Sequence, residues 1–453
     1  MADGDGRAVP SGRLSRLGAF GRLAGGVAGG VLAEGARRLA AGERPKMGDL
    51  LLTPANATRV ADQLAHLRGA AMKLGQMISM DAGDVLPAEL TRILARLRDD
   101  AHHMPPPQLD RVLVAEWGRD WRRRFRHFQA HPIAAASIGQ VHRAELPDGR
   151  VLAIKVQYPG VAESIDADVD NVATLLRVSG LLPRGLDLDP LLAEAKRQLH
   201  EEADYARELA MLGRYAALVG HDPGYRVPAA EPALSTRHVL AMEFVPGVAV
   251  ETLEAAPQEV RDQAATALVT LVLRELFGWG VMQTDPNFAN YRWQAETGRL
   301  VLLDFGAARE LRPETRAGYH RLLMAGIDGD RDAVCAAAVD AGFLGAAAVA
   351  GHRAAIDRMI DVVLALVSGP GPFDFGDRGF VPVLRQEATA IAEDRATWHV
   401  PPTDTLFAQR KVSGTALLCA RLKARVDLRG LVEAWRDAGN VRAAPFVQPP
   451  MER

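Results

Sequence analysis

Three oxygen-bearing side chains recur at a spacing that suits phosphoryl transfer. In Met282-Gln283-Thr284-Asp285-Pro286-Asn287-Phe288-Ala289-Asn290, an acid and an amide stand five residues apart. Val301-Leu302-Leu303-Asp304-Phe305-Gly306 adds a second acid fourteen residues after the amide. Transfer from a nucleoside triphosphate needs an acid at the nucleophile and oxygen ligands for a magnesium ion between the phosphates, because positioning and charge neutralisation supply most of the catalysis. Asp285 fits the first role, Asn290 and Asp304 the second. Either motif alone occurs often by chance; both in this order, on an expected turn and strand, are hard to reach without function.

Upstream, Ala153-Ile154-Lys155 ends an apolar run that reads as a strand, where an ammonium can reach the α- and β-phosphates. The hairpin before it carries Ala134, Ala135, Ala136 and Ser137, where a phosphate-covering loop normally has glycines. Alanine disfavours positive φ, so a stiffer loop with a different phosphate geometry is expected. Glu243 and Val245, where an apolar strand over 238–244 gives way to Pro246-Gly247, are assigned with these residues to ATP binding.

A helix read over 192–212 has an apolar stripe Leu192, Ala195, Leu199, Ala206 and Leu209, interrupted by Glu202. A carboxylate on a buried face needs a cationic or hydrogen-bonding partner, and Lys155 is expected to pair with Glu202 or with one of Asp204 and Glu208 on an adjacent face. Further upstream, Lys73 and Gln76 share one helical face, with Gly75 between them suggesting close approach of another element.

The elements that must position these groups follow from periodicity. Val60, Leu64, Leu67, Ala71, Leu74 and Ile78 predict an amphipathic helix over 53–80, and another follows over 88–98 before the prolines at 105–107 end that helical section. Residues 138–146 and 151–156 read as strands joined by Pro147-Asp148-Gly149. Helix is expected over 191–218, and almost throughout after residue 251, apart from short strands near Tyr291 and over 301–303. The predicted architecture is α+β, with a small mixed lobe over 126–248 and a larger helical lobe over 249–453. A helical extension over 46–125 and a basic segment over 1–45 precede them.

With 453 residues, 48% hydrophobic and 24% charged, the chain can bury a large core, and a formal charge of −2 gives no whole-molecule signal for nucleic acid. Cys335 and Cys419 are too few for a disulfide framework and read as buried core residues in a reducing compartment. No uncharged apolar run reaches the 18 residues a spanning helix needs. Residues 1–44 carry seven arginines against four acids, with Leu14, Leu17, Phe20, Leu23 and Val27 at helical spacing. That pattern suits an anionic membrane surface, and overlapping G-x-x-x-G pairs from Gly25 to Gly30 would let two helices pack closely.

From about residue 13 onward the chain resembles the UbiB, or aarF-domain, family of atypical kinase-like proteins, and within it the coenzyme Q biosynthesis branch. Lys73-Leu74-Gly75-Gln76 matches its K-x-G-Q signature, Ala134 to Ser137 its alanine-rich loop and Glu202-Ala203-Asp204 its E-x-D signature; Gln283-Thr284-Asp285-Pro286-Asn287 matches the branch's catalytic loop. The resemblance implies a bilobal protein-kinase-like fold in which the K-x-G-Q helix folds over the active site, with Lys73 and Gln76 as site residues. It makes Glu208 the partner of Lys155 and leaves Glu202 and Asp204 for Lys73. It further implies magnesium-dependent ATPase activity responsive to membrane lipid and quinone-precursor-like molecules, and a role in ubiquinone biosynthesis. After Asp304-Phe305-Gly306 the chain runs into an expected helix near Pro313 without an A-P-E segment, so the platform for a peptide substrate is missing. The expected partners are ATP, a lipid or quinone-precursor-like molecule, a membrane surface bound peripherally from the cytoplasm, and other ubiquinone-biosynthesis proteins, with a homodimer left open. A nucleotide-binding scaffold without turnover and a small-molecule phosphotransferase are the competing readings.

Overall fold

The computed structural model describes residues 103–437, apart from 137, 180–188, 370, 395, 396, 398 and 400. Lys73, Gln76, Ser137, the basic segment and the helices expected over 53–80 and 88–98 therefore lie outside the described residues. The chain divides into two compact units. One holds the residues up to Ala210 together with Ala230–Phe244; the other holds Met211–Ala229 and everything from Val245 onward.

The first unit is built on a twisted antiparallel sheet. Strands β1 (His127–Phe128), β2 (Ala134–Ala135), β3 (Gly139–Glu145), β4 (Val151–Gln157) and β6 (Val239–Glu243) run in the order β1-β3-β4-β6, with β2 also paired to β3. The β3–β4 hairpin forms where alternating apolar residues flank Pro147-Asp148-Gly149. Gly149 takes φ +88° and its N–H donates to Leu146 O at 3.0 Å, a turn conformation that an L side chain resists. The prolines at 106 and 107 occupy the first turn of helix α1 (Pro106–Trp117), where a missing N–H is harmless. So these prolines open a helix, whatever they close upstream. Leu109, Leu113 and Trp117 of α1 pack with Ile154, Val156, Val239 and Ala241 into one core, and Trp117 Nε1 donates to Leu234 O at 3.0 Å.

Helices α2 (Val161–Ser179) and α3 (Asp189–Glu202) follow, and α4 (Tyr205–Val219) begins in this unit. The single helix expected over 191–218 is thus two, broken at Ala203-Asp204. The break has a local cause: Asp204 Oδ1 accepts from Arg207 N at 3.0 Å and so caps α4. The apolar stripe does not continue across it, since Ala206 is exposed and Leu209 only half-buried.

The second unit is mainly helical. Strand β5 (Tyr225–Arg226) joins β7 (Val248–Ala249), β9 (Tyr291–Gln294) and β10 (Arg299–Leu302) in the order β5-β10-β9-β7. Strand β8 (Val281–Gln283) pairs with β11 (Ala308–Glu310), and β12 (Phe373–Asp374) with β13 (Arg425–Val426), so this unit has more strand than its sequence suggests. The helices are α5 (Gln258–Leu273), α6 (Pro313–Asp328), α7 (Arg331–Asp340), α8 (Ala346–Ser368), α9 (Val381–Glu393), α10 (Thr403–Arg421) and α11 (Leu428–Asp437). Leu276, Phe277, Met282, Leu311, Tyr319, Ala408 and Trp435 form its main core. Cys335 and Cys419 are both buried, and burial pushes the Cys419 thiol up to about 12. No described helix is long and apolar enough to cross a membrane.

One core group of the first unit titrates. His142 is fully buried, receives a hydrogen bond on Nε2 from Gln140 Nε2 at 2.9 Å and donates through Nδ1 to Gln129 O at 2.9 Å. Burial lowers its pKa to about 4, against the raising effect of the Gln129 bond and with help from His103 and His131. The neutral ring is therefore part of the fold. An unfolded chain takes up this proton near 6.5 while the folded one does so only near 4, so stability is complete above 6.5 and falls as pH drops through that window. Chemical unfolding at pH 7.5 and 5.5 should show His142→Gln losing about 1 kcal/mol less than the wild type on acidification; equal losses would contradict this reading.

Candidate active site

In the first unit the site is organised around a buried cation. Lys155 stands in β4, opposite Val141 of β3 and Leu240 of β6, and its Nζ donates to both carboxylate oxygens of Glu208 at 2.9 Å. Glu208 is 1% exposed and lies one turn beyond the cap that starts α4, so the break at Ala203-Asp204 sets the phase of the helix that aims it. The Lys155 ammonium also lies 5.1 Å from the centre of the Tyr205 ring. Two desolvated charges with this bidentate geometry hold the lysine at one place above the sheet.

The other acids stand differently. Glu202 ends α3 and is half-buried, not buried as the one-helix stripe requires, and Asp204 is exposed and engaged as a cap. Ala134 and Ala135 form β2 against Val141 and Gln140, and Ala136 N donates to Gly139 O at 2.9 Å, closing the hairpin tip. Glu243 ends β6 opposite Leu152, half-buried, and belongs to the first unit; Val245 is buried and belongs to the second.

In the second unit the three oxygen-bearing residues share one framework. Gln283 Oε1 accepts from Asp285 N at 2.9 Å, turning the chain out of β8. Asn290 Nδ2 donates to Asp285 O at 2.8 Å and to Asp285 Oδ2 at 3.3 Å. Asn290 O accepts from Leu303 N at 3.0 Å, which sets Asn290 beside the residue preceding Asp304. Asp304 Oδ1 in turn accepts from Gly306 N at 3.0 Å. The segment after Asp304 is tied to the same loop: β11 pairs Ala308 with Gln283, and Thr284 donates through both N and Oγ1 to Ala307 O. Phe305 is buried against Tyr215 with ring centres 4.7 Å apart.

Helix α10 supports this loop at three successive points that spacing rules did not reveal. Arg410 Nη2 lies 3.4 Å from Asp285 Oδ1. Lys411, 1% exposed, donates to Tyr291 OH at 2.9 Å and lies 3.1 Å from Glu275, itself fully buried. Gly414 sits so close to the loop that a Cβ there would fall 2.1 Å from Pro286 Cγ. Burial alone would lower Lys411, but the facing Glu275 carboxylate and the Tyr291 hydroxyl outweigh it and hold the ammonium above its ordinary value. The available signals were indirect: a charge inside the apolar run around Leu276, and a glycine inside an otherwise continuous helix.

Magnesium is implied by the family resemblance, and the donor set fits it. Asp304 is a hard oxygen ligand, and the Asn290 amide has its nitrogen committed to Asp285, which leaves its carbonyl oxygen as the atom for a hard cation. Asp285 is half-buried between that amide and the Arg410 guanidinium, and its carboxylate is of the type that a base or water-orienting role requires.

The arrangement can be set against known proteins. The ABC1 atypical kinase-like domain matches residues 96–338, more than half of the chain. The mitochondrial atypical kinase COQ8B of Rattus norvegicus is 39% identical over 439 residues, covering 94% of this chain and 81% of that protein. The mitochondrial atypical kinase COQ8 of Saccharomyces cerevisiae is 37% identical over 423 residues, covering 92% and 83%. Among solved structures, Rv3197 from Mycobacterium tuberculosis, in complex with erythromycin, is similar at a TM-score of 0.60 and 27% identity, over 86% of this chain and 97% of that one. With its paired acid and amide, its buried lysine and these matches, the chain belongs to the ABC1 atypical kinase-like family, as its likeness to UbiB proteins implied.

Proposed function

We propose that the chain turns over magnesium-ATP and supports ubiquinone biosynthesis at a membrane surface, as an atypical kinase without a peptide-binding platform. The observation that carries this reading is the Asn290 amide, bonded through its nitrogen to Asp285 and neighbouring Leu303-Asp304 along the backbone. Asn290 and Asp304 would hold magnesium, which when bound neutralises phosphate charge during transfer. Asp285 takes the proton of the acceptor or orients a water, and Arg410 and Asn290 keep its carboxylate in place for either task. Lys155, held by Glu208, orients the α- and β-phosphates.

Ala134, Ala135, Ala136 and Ser137 are assigned to covering the phosphates, and Glu243 and Val245 to the rest of the nucleotide. Lys73 and Gln76 are assigned by resemblance to the K-x-G-Q element that faces Glu202 and Asp204. Anionic lipid is a proposed activator on the strength of the basic amphipathic pattern over residues 1–44, and a phenolic quinone precursor is proposed as another from the family resemblance alone. The rat and yeast relatives are named atypical kinases of mitochondria, in keeping with a role beside a quinone-bearing membrane.

Two substitutions test this assignment. In a magnesium-dependent ADP-release assay supplemented with anionic liposomes and a phenolic quinone analogue, Asp304→Asn should lower turnover about 100-fold or more, because a metal-binding carboxylate is lost; turnover at the wild-type rate would refute the assignment. Gly414→Ala should destabilise the fold by about 1–3 kcal/mol through overpacking against Pro286. It should also cut kcat more than it raises the KM for ATP, and an unchanged kcat would show that the loop does not depend on this contact.

A further inference from the structure

Beneath the catalytic loop lies a buried polar cluster to which the proposed chemistry assigns no step. The cluster begins in the π-helical turn Arg274–Trp279 that follows α5, where the wider turn is closed by Gly280 N donating to Glu275 O at 3.0 Å. Such turns are frequent at functional sites, and this one ends the helix at Gly280, φ +67°, directly before β8. Glu275 is its second residue. Its Oε1 accepts from Tyr215 OH at 2.8 Å and from Gln283 N at 3.1 Å, and its Oε2 lies 3.1 Å from Lys411 Nζ. Lys411 reaches onward to Tyr291 OH at 2.9 Å.

Two of these contacts bracket the loop. Gln283 stands two residues before Asp285, and Tyr291 directly follows Asn290. We infer that Glu275 and Lys411 are positioning residues which fix both ends of the segment 283–291 and thereby hold Asp285 and Asn290 in register. This rests on the ATP-turnover reading of that loop. Stability alone is a weak reason for such a pair, since burying two charges is expensive and apolar residues of similar volume generally serve a core as well or better. Its contacts are also directional: one to a backbone N–H and one to a side-chain hydroxyl, both on the loop. A loop of this kind loses rate steeply when its reactive groups shift by about 1 Å.

The test uses the full chain carrying Glu275→Leu together with Lys411→Met, which removes both charges and so avoids an uncompensated one. The double variant should melt within a few degrees of the wild type and bind Mg-ADP within about threefold. Its single-turnover rate should fall by about tenfold or more, and amide exchange in the peptide spanning 283–291 should accelerate by a similar factor. Wild-type exchange and wild-type turnover in a folded double variant would overturn the inference. If that variant does not fold, Tyr291→Phe removes only the hydroxyl that accepts from Lys411; faster exchange over 283–291 with slower turnover supports the inference, and no change in either overturns it. A wild-type protein with no turnover at all would defeat the proposed reaction, while the exchange measurement would still decide whether the pair positions the loop.

Discussion

An asparagine side chain has one amide nitrogen and one carbonyl oxygen, and bonding the nitrogen decides where the oxygen faces. Asn290 places its nitrogen on Asp285, on both the backbone carbonyl and the carboxylate. The carbonyl oxygen is thereby turned away from Asp285, and the carboxylate has a fixed donor. The same residue accepts from Leu303 N through its backbone oxygen, so the end of the β9–β10 ladder brings Asn290 beside the residue that precedes Asp304. The remaining features of the second unit's site act by preserving this geometry.

That preservation is non-local. The segment 283–291 has little regular structure of its own, only a short 3₁₀ turn over Phe288–Asn290 capped by the Asn287 side chain, which accepts from Ala289 N. Its shape is imposed from outside: by β11 on one side, by the Glu275 turn beneath, and by α10 through Arg410, Lys411 and Gly414. In the first unit a single ion pair does comparable work. Lys155 is set by strand register, Glu208 by the phase of α4, and that phase by the cap at Asp204. Rigid elements thus carry Lys155 and Glu208 directly, and from outside they brace the loop that carries Asp285 and Asn290.

The legibility of this arrangement in the sequence follows the range of the forces involved. The β3–β4 hairpin was readable because alternation and the Pro147-Asp148-Gly149 turn act over a few residues, and Lys155 could be placed because its strand could. The Asp285, Asn290 and Asp304 spacing was readable because both segments are short and their chemistry is demanding. The break between α3 and α4 was not, since an aspartate at a cap and one on a buried helical face look alike in sequence, and only the hydrogen bond to Arg207 N separates them. Strands β5, β7 and β11 are too short for periodicity to register. The support from α10 was hidden most completely: Arg410 lies 125 residues from Asp285 in the chain, and no local pattern encodes a contact at that distance.

Asn290 and Asp304 are proposed to present oxygen ligands to one metal ion beside Asp285. The most direct measurement is a crystal structure of the chain grown with magnesium and a non-hydrolysable ATP analogue. A metal ion should stand about 2.1 Å from Asn290 Oδ1 and from an Asp304 carboxylate oxygen, with the Asn290 nitrogen still bonded to Asp285. A bound nucleotide whose metal is held without either side chain, or an Asn290 amide turned so that its nitrogen faces the metal, would contradict it.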